Sequence, residues 1–453
     1  MDQKRVTLIV SDLHMGDGTA GDDFVDDKHQ FANFIRAQAD SQEGRSGSIE
    51  LIINGDFLEF VQVLPQAYTL RSSEYWCSEN ESVAKLDCIL AGHPDVFKAL
   101  KEFQKPRNRV TIFPGNHDVD LYWGQVQNKI RKKAGDVRIE LSEDTYRRYG
   151  GRLHISHGHQ FPSIDPANGF KNWRNPILAV PADSAPKRLE MCPGTLFVVR
   201  FVNFLEAKYP FADNIYPETA LASILWREDR WGLKTVGWTL LRFATQYREA
   251  FLSTATQPDI GPQLLNAIQG DSFLRRKIAS IYRDALSEPD MTAAKVKETL
   301  SSEDAIAAFV ELLLQDPLWE KWIEVLDMAK PAVSSLGASG GNTLAINAAS
   351  TIDVRAGCAT IARNKWNVGA QIVVLGHTHL PETVKEGSHR YYNPGSWTRY
   401  VDGAEALTLE ELRNEDCFPY ELNCIRVEDT GSDTLQSECI CIDRFPASKD
   451  RDP

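Results

Sequence analysis

Pro114-Gly115-Asn116-His117-Asp118 ends the run Arg109 to Phe113 with a turn that carries an amide, an imidazole and a carboxylate in succession. Four other short stretches share that design: Ser11-Asp12-Leu13-His14, Asn54-Gly55-Asp56-Phe57-Leu58-Glu59, Ser156-His157-Gly158-His159 and Leu375-Gly376-His377-Thr378-His379. Together they hold six of the ten histidines, and each sits where an apolar run stops at a turn. Short β-branched runs read as strands, and α/β folds place ligand-binding groups at the C-terminal ends of their strands. The spacing therefore predicts strands whose ends converge on one polar centre.

Outward from that stretch, Val6 to Val10, Ile49 to Ile53, Arg138 to Leu141, Arg152 to Ser156 and Gln371 to Leu375 read as further strands. Phe31 to Ala39 and His93 to Phe103 read as helices, the second with Val96, Phe97, Leu100 and Phe103 at helical spacing. Strands alternating with helices predict an α/β fold, a mixed sheet with helices on its faces. Gly16 to Asp27 reads as a loop whose aspartates at 22, 23, 26 and 27 form a solvated edge. His29, His93, His154 and His389 lie outside the motifs and take structural readings. The tail, Glu421 to Val427 and Glu438 to Asp443 around Glu428-Asp429-Thr430-Gly431-Ser432, reads as a closing β-hairpin.

Between residues 161 and 342 the character changes. Trp173, Trp226, Trp231, Trp238, Trp319 and Trp322 fall in this interval, with Trp366 just beyond it. Leu196 to Leu205, Leu221 to Phe251, Phe273 to Leu286 and Ala305 to Ala329 carry helical patterns, no strand stands out, and Ser334 to Gly341 reads as a flexible exit. The predicted division is 1–160 with 343–453 as one domain, and 161–342 as a helical insertion that caps the site.

Composition narrows the function. With 453 residues, 25% charged and 42% hydrophobic, the chain reads as an ordinary soluble globular protein. A formal net charge of −13 argues against long duplex nucleic acid as the partner, because affinity for phosphate backbones comes from clustered Lys and Arg. The basic runs Lys129 to Lys133 and Arg275 to Lys277 read as solvated helix faces, so a phosphate-bearing ligand must be drawn in locally, as by a metal. The eight cysteines form no Cys-x-x-Cys pair, and no leader precedes Val6, which leads us to expect free thiols in a reducing cytoplasm. No apolar run reaches the ~18–20 residues that span a bilayer, which leaves peripheral membrane contact at most.

The strand-end loops supply aspartates, an asparagine and histidines but no sulfur ligand. Such a set suits Mn²⁺, Fe²⁺ or Zn²⁺. Seven or more donors exceed one tetrahedral site, so two divalent ions are implied. Two ions roughly 3.5–4 Å apart form the usual clamp for in-line displacement at phosphorus. Asp56 is the candidate bridge, and a neutral Asn116 oxygen ligates without adding charge that would repel a phosphate.

In this order the five blocks resemble the calcineurin-like metallophosphoesterase superfamily. Its pattern runs Asp-x-His, Gly-Asp-x-x-Asp/Glu, Gly-Asn-His-Asp/Glu, a His-Gly-His-like loop and Gly-His-x-His, and the resemblance spans about 1–160 and 370–445. It implies a four-layer αββα sandwich of two mixed sheets. It implies one metal, with Mn²⁺ first in line, on Asp12, His14, Asp56 and His379, and a second on Asp56, Asn116, His157 and His377. By the same resemblance His117 contacts the phosphoryl oxygen or protonates the leaving group, Asp118 orients it, and a metal-bound hydroxide attacks without a covalent enzyme intermediate. His159 and Glu59 read as supporting groups, and Asn393-Pro394-Gly395-Ser396 resembles a turn that packs behind the metals.

The implied activity is hydrolysis of a phosphomonoester, phosphodiester or pyrophosphate. The Ser-Asp-Leu-His opening and the long insertion are similar to the UDP-2,3-diacylglucosamine pyrophosphatase branch, but His117 stands where an arginine is expected there. A retained histidine favours chemistry in which an alkoxide must be protonated as it leaves. A capped nuclease or cyclic nucleotide phosphodiesterase is a second expectation. A non-catalytic scaffold, with the insertion docking a partner, is a third; the intact ligand positions speak against it.

Overall fold

The computed structural model describes residues 5–19, 21–65, 76–161, 354–402 and 407–445. In the interval between, it describes 164, 176–178, 186–191, 195, 198–206, 209–212, 214–216, 220–229, 260–286, 288–302 and the single positions 305, 306, 309 and 325, with 404 near the end. The expected helical patterns around Trp231 and Trp238, most of Ala305 to Ala329, and the exit Ser334 to Gly341 lie outside the described residues.

Val6 to Val10 is apolar at almost every position because β1 (Arg5–Val10) is buried on both faces. It pairs in parallel with β2 (Ile49–Asn54), which pairs in parallel with β3 (Arg109–Phe113), and β3 with the short β4 (Arg138–Ile139). A second sheet is built on β5 (Tyr146–Arg148) and β6 (Leu153–Ile155). Two-residue strands follow, β7 (Ile177–Leu178) against β8 (Arg188–Leu189), then β9 (Ile215–Tyr216). Sequence patterning gave no sign of these, since two residues carry no periodicity. The second sheet is completed by β10 (Ile372–Val374), parallel to β6, and by β11 (Glu382–Glu386) and β12 (His389–Asn393). β13 (Val401–Asp402) pairs with β9, while β14 (Tyr420–Asp429) and β15 (Gln436–Phe445) form the expected hairpin and add to β1. The orders are β15-β14-β1-β2-β3-β4 and β11-β12-β10-β6-β5. Both sheets are mixed.

Three cores organise these elements. One face of the first sheet (Val6, Leu8, Val10, Leu51, Ile53) packs on α1 (Gln30–Asp40), α3 (Glu79–Gly92), α4 (Pro94–Phe103) and α5 (Gly124–Ala134); the short α2 (Gln42–Ser46) follows α1. Its other face (Ile9, Ile52, Phe113) shares a core with Leu153, Ile155, Ile372 and Val374 of the second sheet. The far face of that sheet (Val373, Tyr391) packs on Cys358, Ile361 and Trp366 of the helix Val354–Trp366. α3 was not anticipated, although Ser78 and Glu81 form a capping box that starts it.

The chain divides into two compact units, residues 1–224 with 352–453, and residues 225–351. The composition shift at 161 is therefore not the packing boundary: the described residues up to 224 belong to the first unit. In the second unit the helices Ile260–Gly270, Ser272–Ala285 and Ala293–Thr299 share a core of their own, in which Tyr282 stacks on Phe309. Among the described residues all cysteines are free thiols, and no helix is long and apolar enough to cross a membrane.

The aspartate-rich loop also differs from expectation. Asp22 is not at a solvated edge: it accepts from the Gly16, Gly18 and Phe24 N–H groups and lies 2.7 Å from His93 Nε2. Asp26 meets His93 Nδ1 at 3.3 Å, so the buried ring clips this loop to the α3–α4 junction.

Candidate metal centre

Strands β1, β2, β3, β6 and β10 deliver the site residues at their C-terminal ends, and backbone hydrogen bonds lace the resulting loops together. Asp12 N–H donates to Gly55 O at 3.2 Å and His14 N–H to Asp56 O at 2.9 Å, so the first two motifs run as a pair. Across the sheets, His377 N–H donates to the Asp12 carboxylate at 2.9 and 3.0 Å, and Gly376 N–H to His157 O at 2.7 Å. Asn393, in the turn expected behind the metals, donates its amide to Gly376 O and Thr378 Oγ1.

Glycine is required at two of these crossings. A Cβ on Gly115 would lie 2.0 Å from Asp56 Oδ1, and one on Gly376 2.0 Å from Ser11 Oγ. Strain collects here as well. Asp12, His14, Asp56, His377 and His379 all have left-handed backbone, with φ between 47° and 71°. Elsewhere among the described non-glycine residues only His29, Arg107 and Tyr149 do. Such conformations cost of order 1–3 kcal/mol each and persist where the surroundings over-determine them.

The side chains fall into two groups whose ligand atoms lie within 4.8 Å of one another: Asp12, His14 and His379, and Asp56, His157 and His377. Asp56 Oδ2 belongs to both neighbourhoods, 3.1 Å from His157 Nε2 and 3.8 Å from His14 Nε2. Asn116 completes the expected set. Its side-chain oxygen is buried and has no hydrogen-bond partner among the described residues, which is costly for an amide unless a cation takes the lone pair.

Tautomers follow from the surroundings. A third group places Glu59 Oε2 2.7 Å from both His14 Nδ1 and His117 Nδ1. Burial works against the Glu59 charge, but the two imidazoles outweigh it and hold the carboxyl at about 2. An ionised carboxylate only accepts, so both Nδ1 atoms carry hydrogen and both rings present Nε2 away from Glu59. His14 Nε2 and His379 Nε2 are 2.9 Å apart, a contact that needs a proton or a cation between them. His157 Nδ1 faces Asn54 O at 2.8 Å, which turns its Nε2 to Asp56. Burial disfavours charge on His157, yet Asp56 and Asp12 carry it up to about 9; the field that holds that proton is one a divalent cation would meet. The nitrogen and oxygen donors present, the Asn116 oxygen included, suit a borderline or hard divalent ion.

Asp118 is placed differently from expectation. Its oxygens accept from the N–H groups of Gly115, Phe57 and Leu58, joining the β2 and β3 loops, and the carboxylate on His117 Nδ1 is Glu59. His159 is buried with its ring 5.2 Å from that of His157, and belongs to neither ligand group.

Sequence reading missed the groups that brace the loops from outside. Thr195 Oγ1 donates to Asn116 O at 3.2 Å and Asn203 Nδ2 to Val61 O at 3.0 Å. Lys85, fully buried on α3, donates to Phe60 O at 2.8 Å. Only Lys85 left a trace: a charged residue beside the apolar positions Leu86, Ile89 and Leu90, in a helix announced by its capping box. No protein-family model matches the chain, and no curated protein matches it.

Proposed function

We propose that this chain is a dinuclear metal-dependent phosphoesterase, hydrolysing a phosphomonoester, phosphodiester or pyrophosphate. The observation that carries the reading is Asp56, whose Oδ2 is approached by a histidine from each of two ligand groups, beside the partnerless oxygen of Asn116. Asp12, His14, Asp56 and His379 would hold one ion, and Asp56, Asn116, His157 and His377 the other. Mn²⁺ suits this set best, with Fe²⁺ or Zn²⁺ also matching. When bound, such ions polarise phosphoryl oxygens and lower the pKa of water. Two mixed sheets sharing a core, with helices on the outer faces, support the four-layer sandwich as the fold.

The chain's own groups supply orientation and a proton. Glu59 accepts from His117 Nδ1–H, so Nε2 is the nitrogen that faces the reaction, and the doubly protonated ring, its charge balanced by Glu59, would give the Nε2 proton to a departing oxygen. Its carboxylate also orients His14, which links the position of the acid to that of a metal ligand. Asp118 and Gly115 hold together the two loops that carry Asn116 and Asp56.

The test is a panel with Mn²⁺: p-nitrophenyl phosphate, bis-p-nitrophenyl phosphate, a cyclic nucleotide, a short oligonucleotide and a UDP-sugar lipid. Hydrolysis of at least one member, lost with EDTA and in Asn116→Ala, is the expected result. No turnover by protein whose metal content is verified would sink the reading.

A further inference from the structure

Glu59 is gripped from two sides. Oε2 meets the two imidazoles, while Oε1 accepts from Val61 N–H at 3.0 Å and Gln62 N–H at 3.1 Å. Those two N–H groups belong to successive peptide planes, and the carbonyl of each plane is itself held. Lys85 Nζ donates to Phe60 O at 2.8 Å, and Asn203 Nδ2 donates to Val61 O at 3.0 Å. In a trans peptide the C=O and N–H point in opposite directions. Holding the Phe60 oxygen therefore aims the Val61 N–H, and holding the Val61 oxygen aims the Gln62 N–H. Both clamps come from later in the chain: Lys85 from α3, Asn203 from the short helix Asn203–Glu206.

Both clamps are buried, Lys85 to 1% exposure and Asn203 to 7%. Taking an ammonium out of water is expensive, and a methionine of similar length would fill the same space without that cost. Burial drives the Lys85 pKa below its ordinary value, with the Asp120 carboxylate the largest opposing influence. Ser82 Oγ, also on α3, donates to Asp120 on the turn Val119–Tyr122. The bond to Phe60 O is the contact by which the lysine reaches the Glu59 loop.

We propose that Lys85 and Asn203 are positioning residues: by clamping the carbonyls of Phe60 and Val61 they fix two N–H groups on Glu59, and through Glu59 they set the tautomer and orientation of His117. The catalytic consequence rests on the phosphoesterase reading; the structural one does not. Lys85→Met and Asn203→Leu each remove one clamp while keeping apolar volume, and Lys85→Arg keeps a donor.

The first measurement is long-range imidazole ¹H–¹⁵N correlation on the full-length chain after chelation. In wild type His14 and His117 are expected with hydrogen on Nδ1. In Lys85→Met and Asn203→Leu, His117 is expected to become a mixture of tautomers, with Lys85→Arg close to wild type. The second measurement compares kcat of the Mn²⁺-loaded protein on p-nitrophenyl phosphate, whose leaving group needs no proton, with that on glycerol phosphate, whose leaving group does. The variants are expected to lose about tenfold more on the glycerol ester, as weakened general-acid catalysis does, with KM little changed.

Wild-type ring spectra in folded variants, or an equal loss on both substrates, would overturn the proposal. If Lys85→Met fails to fold, Asn203→Leu decides by the same criteria. If wild type turns over neither ester, the ring spectra alone decide the inference, and the phosphoesterase reading fails only when the diesters and the pyrophosphate of the panel are inert as well.

Discussion

Replacing His93 by glutamine isolates one electrostatic contribution at a place remote from the metal ligands. The ring lies between Asp22 at 2.7 Å and Asp26 at 3.3 Å, with the Phe24 ring edge-on and the exposed His29 3.8 Å from the same Asp26 oxygen. Burial works against its charge, and the hydrogen bonds and charges of the two aspartates overcome this, taking the pKa from 6.5 to about 9. At about 1.4 kcal/mol per pH unit that corresponds to roughly 3 kcal/mol, and residual exposure lowers it to about 2. The sign is fixed by the direction of the shift. A group whose folded pKa is raised contributes fully below its unfolded value, here about pH 6.5, and loses that contribution as pH rises through about 9. Glutamine can still hydrogen-bond Asp22 but carries no charge. Urea denaturation of chelated wild type and His93→Gln should therefore differ by about 2 kcal/mol at pH 6 and by close to nothing at pH 10. A difference of the same size at both values would refute the reasoning, because a packing defect does not titrate.

Gly115→Ala forces a Cβ to 2.6 Å from the Asp56 backbone N as well as onto its carboxylate. It should cost at least about 1–3 kcal/mol and strip Mn²⁺ from the protein, as melting and metal content after dialysis will show. Glu59→Gln replaces an acceptor by a group that also donates, leaving His14 poorly oriented. Calorimetric Mn²⁺ affinity should fall about 10–100-fold, and an unchanged affinity would mean that the carboxylate does not orient the ligand. Mn²⁺ at a hundred times its dissociation constant should stabilise the chain by about 2.7 kcal/mol, reversed by EDTA, whereas Asp56→Asn should respond much less.

The site was legible because its chemistry is local. Each motif sits at the end of its own strand, and a run such as Ile49 to Ile53 declares a strand without help from the rest of the chain. What was not legible depends on groups meeting across the fold. Four aspartates in a glycine-rich loop look solvated until α3 and α4 bring His93 onto Asp22. Glu59 and His117, 58 residues apart, displace Asp118 from its expected place beside the imidazole. The composition shift at residue 161 is real, but Asn203 and Asn214 bond back to Val61 O and Arg399 O, so packing runs on past it. Left-handed backbone at Asp12, His14, Asp56, His377 and His379 is not announced by residue type: Asp and His are enriched in that region but adopt it only in a small minority of positions.

The hydrogen bonds from His377 N–H to the Asp12 carboxylate join residues 365 positions apart. During synthesis at about 5–20 residues per second, Asp12 waits roughly 20–70 s for that partner. For that time the nascent chain displays Asp12, His14, Asp56, Asn116 and His157 in turn, without the two histidines that close both ligand groups. Residues 225–351 are made within the same wait and build a core of their own. A ribosome-bound chain stopped short of His377 should therefore bind Mn²⁺ far more weakly than the released protein. On the metal-site reading, capture of the ion would be timed by the last motif to be translated.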